Sequence, residues 1–377
     1  MTKILSSVAC NLDKDILRTV LPLFAAEKVQ AIEWSFDTLF KVRNIPEWFV
    51  ELLEAFGQEG RLIGHGVYFS LFSGKWSSEQ TEWLKRLKRM SAHFKFDHVT
   101  EHFGFMTGED FHKGAPISIP FSSETLALGQ DRLKRIYEAA QCPVGLENLA
   151  FAYSLEEVKK HGEFLNALIE PINGFIILDL HNLYCHLHNF DVKVEEIIRL
   201  YPLHRVREIH ISGGSWADSD LNPEIKIRRD THDDSVPNEV FELLEKSIPL
   251  CPNLKFVVLE QLGTALKTEK QENDFRTDFL KMDSIVQKHN LTPATNPENT
   301  FRPKTDFQLS KPLENLTLHT QQSELSDILE NADDFEDAQS KLSKSSLAQT
   351  AWGIENWEPA MLETVMKIAQ KWKGGFN

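Results

Sequence analysis

FIILDLHN, residues 175–182, combines the two features that decide the fold of this chain. An uninterrupted apolar run is followed at once by acidic, imidazole and amide side chains. Such runs are typical of parallel strands that are covered by helices on both faces, because neither face has to be polar. The stretch therefore predicts a buried strand that ends in residues able to bind a cation.

Seven further stretches have the same apolar character, and amphipathic helical patterns lie between them. Together with the first, the predicted strands cover residues 4–10, 31–36, 61–70, 96–102, 144–150, 175–182, 206–212 and 256–262. Eight strand–helix units of this size are typical of a (β/α)₈ TIM barrel. A doubly wound α/β sheet is the alternative, because strand order cannot be deduced from one sequence.

The character of the chain changes after residue 290. Residues 291–312 contain four prolines, at positions 293, 297, 303 and 312, and predict an irregular linker. Residues 313–377 are helical in pattern. We therefore predict a metal-binding catalytic barrel over 1–290, a linker over 291–312 and a helical C-terminal extension over 313–377. The extension could pack on the barrel, cover its mouth, or recruit a peptide or protein partner.

Composition and charge narrow the functional classes. The chain has 41 Lys and Arg against 56 Asp and Glu, a net charge of −15, which disfavours binding along a nucleic-acid backbone. No apolar run is long enough for a membrane helix, and the first residues do not resemble a signal peptide. The four cysteines are scattered, as expected of reduced thiols. These features predict a cytoplasmic protein with no membrane partner.

Potential metal ligands are concentrated where the predicted strands end. From the third strand onward, and in one loop, these residues are His65, Glu101, His102, Glu147, Asn148, Asp179, His181, Asn182, His210, Asp230, His232 and Glu260. The chemistry of TIM barrels takes place at the C-terminal ends of the strands. Several carboxylates buried together are costly unless a cation compensates them.

The kinds of ligand also indicate which metals to expect. Imidazoles and carboxylates without cysteine suit Fe, Zn or Mn. There are more ligands than one ion needs, which predicts two or three metals with one bridging carboxylate. In the loop, alternation along an extended segment would direct Asp230 and His232 towards the same ion.

The same segments carry a resemblance to a known family. IGHGVYFS, TEHFG, LENLA, LDLHNLY, EIHISGG, DTHDDSV and VLEQ, taken in order, resemble the multinuclear non-heme iron-dependent oxidative enzymes over residues 1–290. The resemblance implies a xylose-isomerase-like TIM barrel with two or three mixed-valence irons that uses O₂ as co-substrate. It also implies modification of a Cys, Asp or Asn in a ribosomally made precursor peptide, with a separate partner protein that recognises the precursor.

The resemblance also implies roles for individual residues. His65 and His102 would bind one iron, and Glu147 would bridge two. Asp179, His210 and Glu260 would complete the central pair, and Asp230 and His232 would bind a third iron with Asn182 nearby. Of these, Glu147, Asp179 and Asn182 are the expected catalytic residues.

For four other residues the sequence favours positions or roles other than metal ligation. Glu33 would orient ligands from behind or form a simple salt bridge. Strand alternation would turn His181 away from its neighbour Asn182. His186 and His188 form an H-x-H pair that favours a solvent-exposed or substrate-contacting loop over metal binding.

Two other classes of function remain open at this point. A zinc- or manganese-dependent hydrolase or sugar isomerase could use the same barrel, since fold alone does not define function. The three-zinc apurinic endonucleases have a His at the position of Asn182, so this chain departs from their pattern. A non-catalytic scaffold that only binds metal or peptide is the third interpretation.

Overall fold

A computed structural model of the chain describes residues 3–42, 44–107, 114–291, 299–304 and 306–375. In these residues the strands are β1 (Leu5–Ala9), β2 (Ala31–Trp34), β3 (Leu62–His65), β4 (His98–His102), β5 (Phe105–Met106), β6 (Pro116–Ile117), β7 (Val144–Glu147), β8 (Phe175–Asp179), β9 (Val206–Ile211), β10 (Trp216–Asp218), β11 (Lys226–Arg228) and β12 (Phe256–Leu259). The helices are α1 (Lys14–Ala25), α2 (Glu47–Gln58), α3 (Ser78–Phe94), α4 (Ser123–Ala140), α5 (Leu155–Ile169), α6 (Leu180–Asn189), α7 (Val194–Ile197), α8 (Asn238–Ser247), α9 (Glu269–Asn290), α10 (Leu316–Asn331), α11 (Phe335–Ser343) and α12 (Pro359–Trp372).

Eight parallel strands close into a barrel in the order β1, β2, β3, β4, β7, β8, β9, β12. Val8 of β1 pairs with Ile32 of β2 on one side and with Leu259 of β12 on the other, which closes the ring. The predicted (β/α)₈ barrel is therefore confirmed, and an open doubly wound sheet is wrong. Two short antiparallel hairpins, β5–β6 and β10–β11, lie outside the barrel and were not predicted.

The apolar runs form strands that are buried on both faces, as in β8, but several of the strands are shorter than predicted. β8 ends at Asp179, whose Oδ1 accepts a hydrogen bond of 2.6 Å from the backbone N–H of Asn182 and so begins α6. Residues 180–182 are therefore the first turn of a helix. The prediction that His181 points away from the site by strand alternation is wrong, because the chain is no longer extended there.

Below the C-terminal ends of the strands, the barrel interior holds a small apolar cluster beside buried ionisable side chains. Ala31, Ile63, Phe256 and Val258 form a small buried cluster of their own, separate from the large core between barrel and helices. Side chains from the C-terminal ends of the strands lie above this cluster. We call the four clustered residues the apolar plug.

The C-terminal extension is helical, as predicted, and it lies on the barrel. Within the described residues, α12 packs on α10 and reaches the loops at the C-terminal end of the barrel. The backbone N–H of Glu358 donates to Tyr153 O at 2.9 Å, and the N–H of Gly114 donates to Trp372 O at 3.0 Å. Of the predicted linker, residues 292–298 and 305 lie outside the described residues, and the domain boundaries stay predictions.

Two further predictions can be compared with the structure. Cys10, Cys142, Cys185 and Cys251 are buried and free, as expected of reduced thiols. None of the helices in the described part of the chain combines the length and hydrophobicity that a bilayer-spanning segment requires.

Gly162 in α5 allows a close approach between that helix and the segment before β9. An added Cβ would lie 2.1 Å from the carbonyl oxygen of Leu200, which is backbone and cannot move aside cheaply. We expect Gly162→Ala to destabilise the fold by about 2 kcal/mol despite the better helix propensity of Ala. Urea denaturation measures this. Lys160→Ala, at an exposed position of the same helix, should change the unfolding free energy by less than about 0.5 kcal/mol. A more stable Gly162→Ala protein would contradict the packing described here.

Candidate metal centre

The barrel brings the predicted ligands to one end of the molecule. His65, His102, Glu147 and Asp179 are the last residues of β3, β4, β7 and β8. His210 lies one residue before the end of β9, and Glu260 directly follows β12. Because parallel strands end on the same side, these six side chains meet above the apolar plug.

One group of ligands consists of His65, His102 and Glu147. Their ligand atoms lie within 4.8 Å of one another. Glu147 Oε2 is 3.4 Å from His65 Nε2 and 3.7 Å from His102 Nε2. These separations suit donor atoms that share one cation.

The other nitrogens of these two imidazoles face away from Glu147 and have partners. His65 Nδ1 lies 2.8 Å from the Thr100 hydroxyl, which itself donates to Gly64 O, and so the imidazole donates to it. His102 Nδ1 lies 3.1 Å from Gly66 O and must donate as well. Both rings are therefore held as the tautomer that turns a free Nε2 lone pair towards the centre.

A second group consists of Glu147, Asp179, His210 and Glu260, again with ligand atoms within 4.8 Å of one another. His210 Nδ1 is 3.1 Å from Glu260 Oε2 and 3.9 Å from Glu147 Oε1. Glu147 thus has one carboxylate oxygen directed to each group. The predicted bridging role requires this geometry.

Asn182 and Asp179 leave buried polar atoms directed into the centre. The Asn182 amide nitrogen donates to Asn148 O at 2.7 Å and to Glu147 Oε1 at 3.2 Å. Asn182 Oδ1 and Asp179 Oδ2 are buried without a hydrogen-bond partner. Unsatisfied buried oxygens are costly, and a cation would satisfy both.

Asp230 and His232 come together beside the second group but pair with each other. His232 Nε2 is 2.9 Å from Asp230 Oδ1 and 3.9 Å from Glu260 Oε2. His181 Nδ1 also lies 3.1 Å from Asp230 Oδ1, and His181 therefore belongs to this corner of the site. Asp230 and His232 do lie together, but not because side chains alternate along an extended segment. His232 has a left-handed φ of 51°, which turns the loop back.

Burial dominates the electrostatics of the carboxylates. Desolvation raises the pKa of Glu147 well above its ordinary value, and desolvation next to Asp230 raises the pKa of Asp179 to about 7. For Glu260 burial acts in the same direction, but the adjacent His210 and His232 outweigh it and lower its pKa. Without cations, the centre therefore holds protons on Glu147 and Asp179 that a metal would displace.

A line of ionisable side chains supports His210 from below. His210 Nε2 is 3.1 Å from Glu33 Oε2 and 3.5 Å from Glu208 Oε1. Glu208 Oε2 is in turn 2.7 Å from His98 Nε2, and His98 Nδ1 is 3.0 Å from Asp97 Oδ1. Glu33 therefore lies behind a ligand, as one of its two predicted roles required. Glu208 and His98 were missed, although a Glu within the apolar strand VREIHI is unusual enough to have indicated them.

The H-x-H pair does not reach the centre. His186 is fully buried in α6 with its ring 5.3 Å from that of His161, so the prediction of a loop position is wrong. His188 contacts the ring of Trp216 and lies 3.2 Å from Lys226 O.

A cavity of about 540 Å³ lies above the ligands. It reaches seven of the nine proposed metal ligands: His65, His102, Glu147, Asn182, Asp230, His232 and Glu260. Apolar side chains such as Leu149, Phe151 and Ile227 line its walls. The arrangement is a buried, multidentate centre at the base of a cavity open to a substrate.

A sequence model of a family described as RiPP precursor modification enzyme MbnB/TglH/ChrH matches residues 27–270. RiPPs are ribosomally made peptides that enzymes modify after translation. The chain belongs to this family. The match covers seven of the eight barrel strands and all nine proposed ligands, which confirms the resemblance found in the sequence. Membership of the MbnB/TglH/ChrH family indicates an enzyme that modifies such precursor peptides.

Individual relatives and solved structures have low sequence identity to this chain. A UPF0276 protein of Shewanella loihica is 26% identical over 206 residues, which cover 53% of this chain and 71% of that protein. A solved L-ribulose 3-epimerase has 12% identity and a TM-score of 0.49, covering 78% of this chain and 99% of the other. A xylose isomerase domain protein from Planctomyces limnophilus has 13% identity and a TM-score of 0.47, covering 76% and 98%.

Metal binding should compete with protons at this centre. Because the pKa of Asp179 is raised to about 7, a cation must displace its proton below that pH. We expect the affinity for Mn²⁺ to fall about tenfold between about pH 8 and about pH 6. Calorimetric titration measures this, and in Asp179→Asn this part of the pH dependence should disappear. An affinity that is equally strong at both pH values would contradict the assignment.

Removing the support behind His210 should weaken the metal site without a change in its ligands. We expect Glu208→Gln to lower metal affinity by about 10–100-fold, because the carboxylate that orients His210 is lost. Glu242→Gln, at an exposed position of α8, is the matched control. Calorimetry and thermal unfolding together separate weaker binding from misfolding. Unchanged affinity in a folded Glu208→Gln protein would show that Glu208 has no part in positioning His210.

Proposed function

We propose that this chain is a multinuclear iron-dependent enzyme that uses O₂ to oxidise a Cys, Asp or Asn residue of a precursor peptide. The observation that carries the proposal is the position of Glu147. Its two carboxylate oxygens face two separate ligand groups, both buried and both directly below the cavity. A bridged pair of ions is the arrangement that this geometry favours, and the donor types suit iron among other metals.

The donor set fits iron. His65 and His102 would hold one ion through Nε2, and Asp179, His210 and Glu260 would hold the second. When bound, iron supplies the electrons that reduce O₂ and the positive charge that polarises the substrate. The protein's own part is to fix these ligands at the base of the cavity.

Asn182 and the Asp230 corner have supporting roles in this proposal. The Asn182 amide holds Glu147 Oε1 and leaves its own oxygen free for a cation. Asp230 and His232 would hold a third iron once their mutual contact opens. Before that, Asp230 keeps a proton on His232, because it outweighs the desolvation of the ring and raises the pKa of His232 to about 10.

The substrate and partners follow from the family and from the cavity. A cavity of about 540 Å³ admits a few residues of a peptide. A separate protein that recognises the precursor, a cytoplasmic location and the absence of a nucleic-acid partner complete the proposal. The net charge of −15 agrees with the last point.

The decisive experiment is oxidation of a precursor peptide in vitro. We expect the protein, loaded with Fe²⁺ and mixed with the recognition protein, the peptide product of a neighbouring short open reading frame, O₂ and a reductant such as ascorbate, to change the peptide mass by loss of two hydrogens or gain of one oxygen. Glu147→Gln should reduce the rate by at least about 100-fold, because the bridge between the ions is lost. Glu163→Gln, exposed on α5, should retain the rate. Mass spectrometry detects both outcomes.

Metal analysis of the same preparations distinguishes the oxidative function from a zinc-dependent hydrolase or isomerase. A colourless protein that is purified with zinc and hydrolyses or isomerises a small substrate would overturn the oxidative function. Iron at two or three equivalents, falling by one equivalent in Asp230→Asn, would support it.

A further inference from the structure

One face of α12 forms part of the cavity above the metal centre. Met361, Thr364 and Ile368 line the cavity together with Lys371 and Trp372. Their spacing of three or four residues places them on one side of the helix. The family match ends at residue 270, so this wall comes from a part of the chain that the match does not cover.

An adjacent side of α12 faces the interior of the extension. Leu362, Val365 and Ala369 are buried in the main apolar core, and α12 packs on α10. The amphipathic pattern therefore has two different uses. One face is buried for stability, and the other borders the cavity.

Several contacts fix α12 in this position. The Glu363 carboxylate accepts from Ser219 Oγ at 2.6 Å and from the Asp220 backbone N–H at 2.7 Å, in the loop between β10 and β11. Trp372 O accepts from the Gly114 N–H on the opposite side of the cavity. Because both ends of the helix are tied to barrel loops, α12 is a fixed wall and not a free arm.

Cationic side chains stand at the edge of this cavity. Arg229 and Lys371 both line it. The Lys371 ammonium lies 4.6 Å from the centre of the Trp372 ring, and the Asp230 and Asp233 carboxylates act on the charge of Arg229, but neither cation has a carboxylate partner within 4 Å among the described residues. The neighbouring Arg228 is already engaged, since its Nε is 3.2 Å from His181 Nε2 and its guanidinium lies over Trp216. Asp233 also lines the cavity, but its Oδ1 accepts from Thr231.

We propose that α12 forms one wall of the peptide cleft and that Lys371 and Arg229 bind a carboxylate of the substrate peptide there. The inference rests on the proposed function, because it concerns the substrate of the same site. Ammonium and guanidinium groups form charge-assisted hydrogen bonds with carboxylates, which are stronger than neutral ones. Met361 and Ile368 supply the apolar surface for a side chain beside that carboxylate.

The carboxylate has two possible sources in a peptide. It is either the side chain of an Asp or Glu or the free C-terminus. The probe is a set of synthetic decapeptides with one fixed Leu followed by Asp, Asn or Lys, with only uncharged residues at the random positions, each made with a free or an amidated C-terminus. The full chain is loaded with Fe²⁺ without O₂, so that peptide retention is measured by mass spectrometry before any oxidation.

Asp-containing or free C-terminal peptides should be retained at least about tenfold better than amidated Asn or Lys peptides. Lys371→Glu should remove this preference, whereas Lys373→Glu, exposed and outside the cavity lining, should keep it. Ile368→Trp should lower retention of all peptides by narrowing the cleft. Gln370→Trp, on the exposed side of α12, should not. Iron content and melting temperature confirm that each variant is folded and loaded.

The outcomes separate this inference from the proposed function. Equal retention by Lys371→Glu and Lys373→Glu contradicts the carboxylate site, and equal retention by Ile368→Trp and Gln370→Trp contradicts the wall. Failure to retain any peptide also overturns the cleft. Peptides that are retained but remain unchanged after O₂ is admitted contradict the oxidative function and leave the cleft in place.

Discussion

Desolvation of the Glu147 carboxylate is the constraint on which the rest of the centre depends. Only 4% of this residue is exposed, and the charged form is disfavoured by burial and by the carboxylates of Asp179 and Glu260 nearby. Protonation relieves the cost locally, but it does not satisfy Asn182 Oδ1 or Asp179 Oδ2. Cations between the two ligand groups would remove all of these penalties together. The cluster is therefore costly in the protein alone, and bound cations would stabilise it.

The line of side chains below His210 shows how the barrel accommodates that cluster. Glu208 and His98 are fully buried, yet each has an ionisable partner, and the line ends at Asp97, which Arg207 and Lys255 neutralise at the N-terminal end of the barrel. Because acidic and basic side chains alternate along this line, each ionisable group in the barrel interior has a partner of the opposite type. The same alternation fixes the ring of His210, so that stability and ligand orientation are provided by one network.

The sequence was sufficient for the barrel because strands covered on both faces leave continuous apolar runs, as in residues 175–178. It was insufficient where the backbone changes direction. His181 was placed on the wrong side because a helix starts at Leu180, and Asp230 meets His232 through a left-handed φ that no periodicity reveals. Glu208 was overlooked because it lies two residues before His210, away from the strand ends where ligands were sought. Local pattern therefore predicts which residues lie at strand ends, but only the backbone path decides which atoms meet.

The C-terminal extension illustrates a different limit of prediction from sequence. The amphipathic pattern of α12 predicts a buried face, but Thr364 and Ile368 reach the cavity only because barrel loops near Ser219 and Gly114 hold the helix across its mouth. Ligands from the barrel strands and a wall from the extension are separate parts of the chain with separate constraints. Changes in the wall can alter which peptide fits without disturbing the ions below, because no proposed ligand lies on α12. Substitutions on α12 could therefore change the substrate preference while the metal affinity of the centre stays the same.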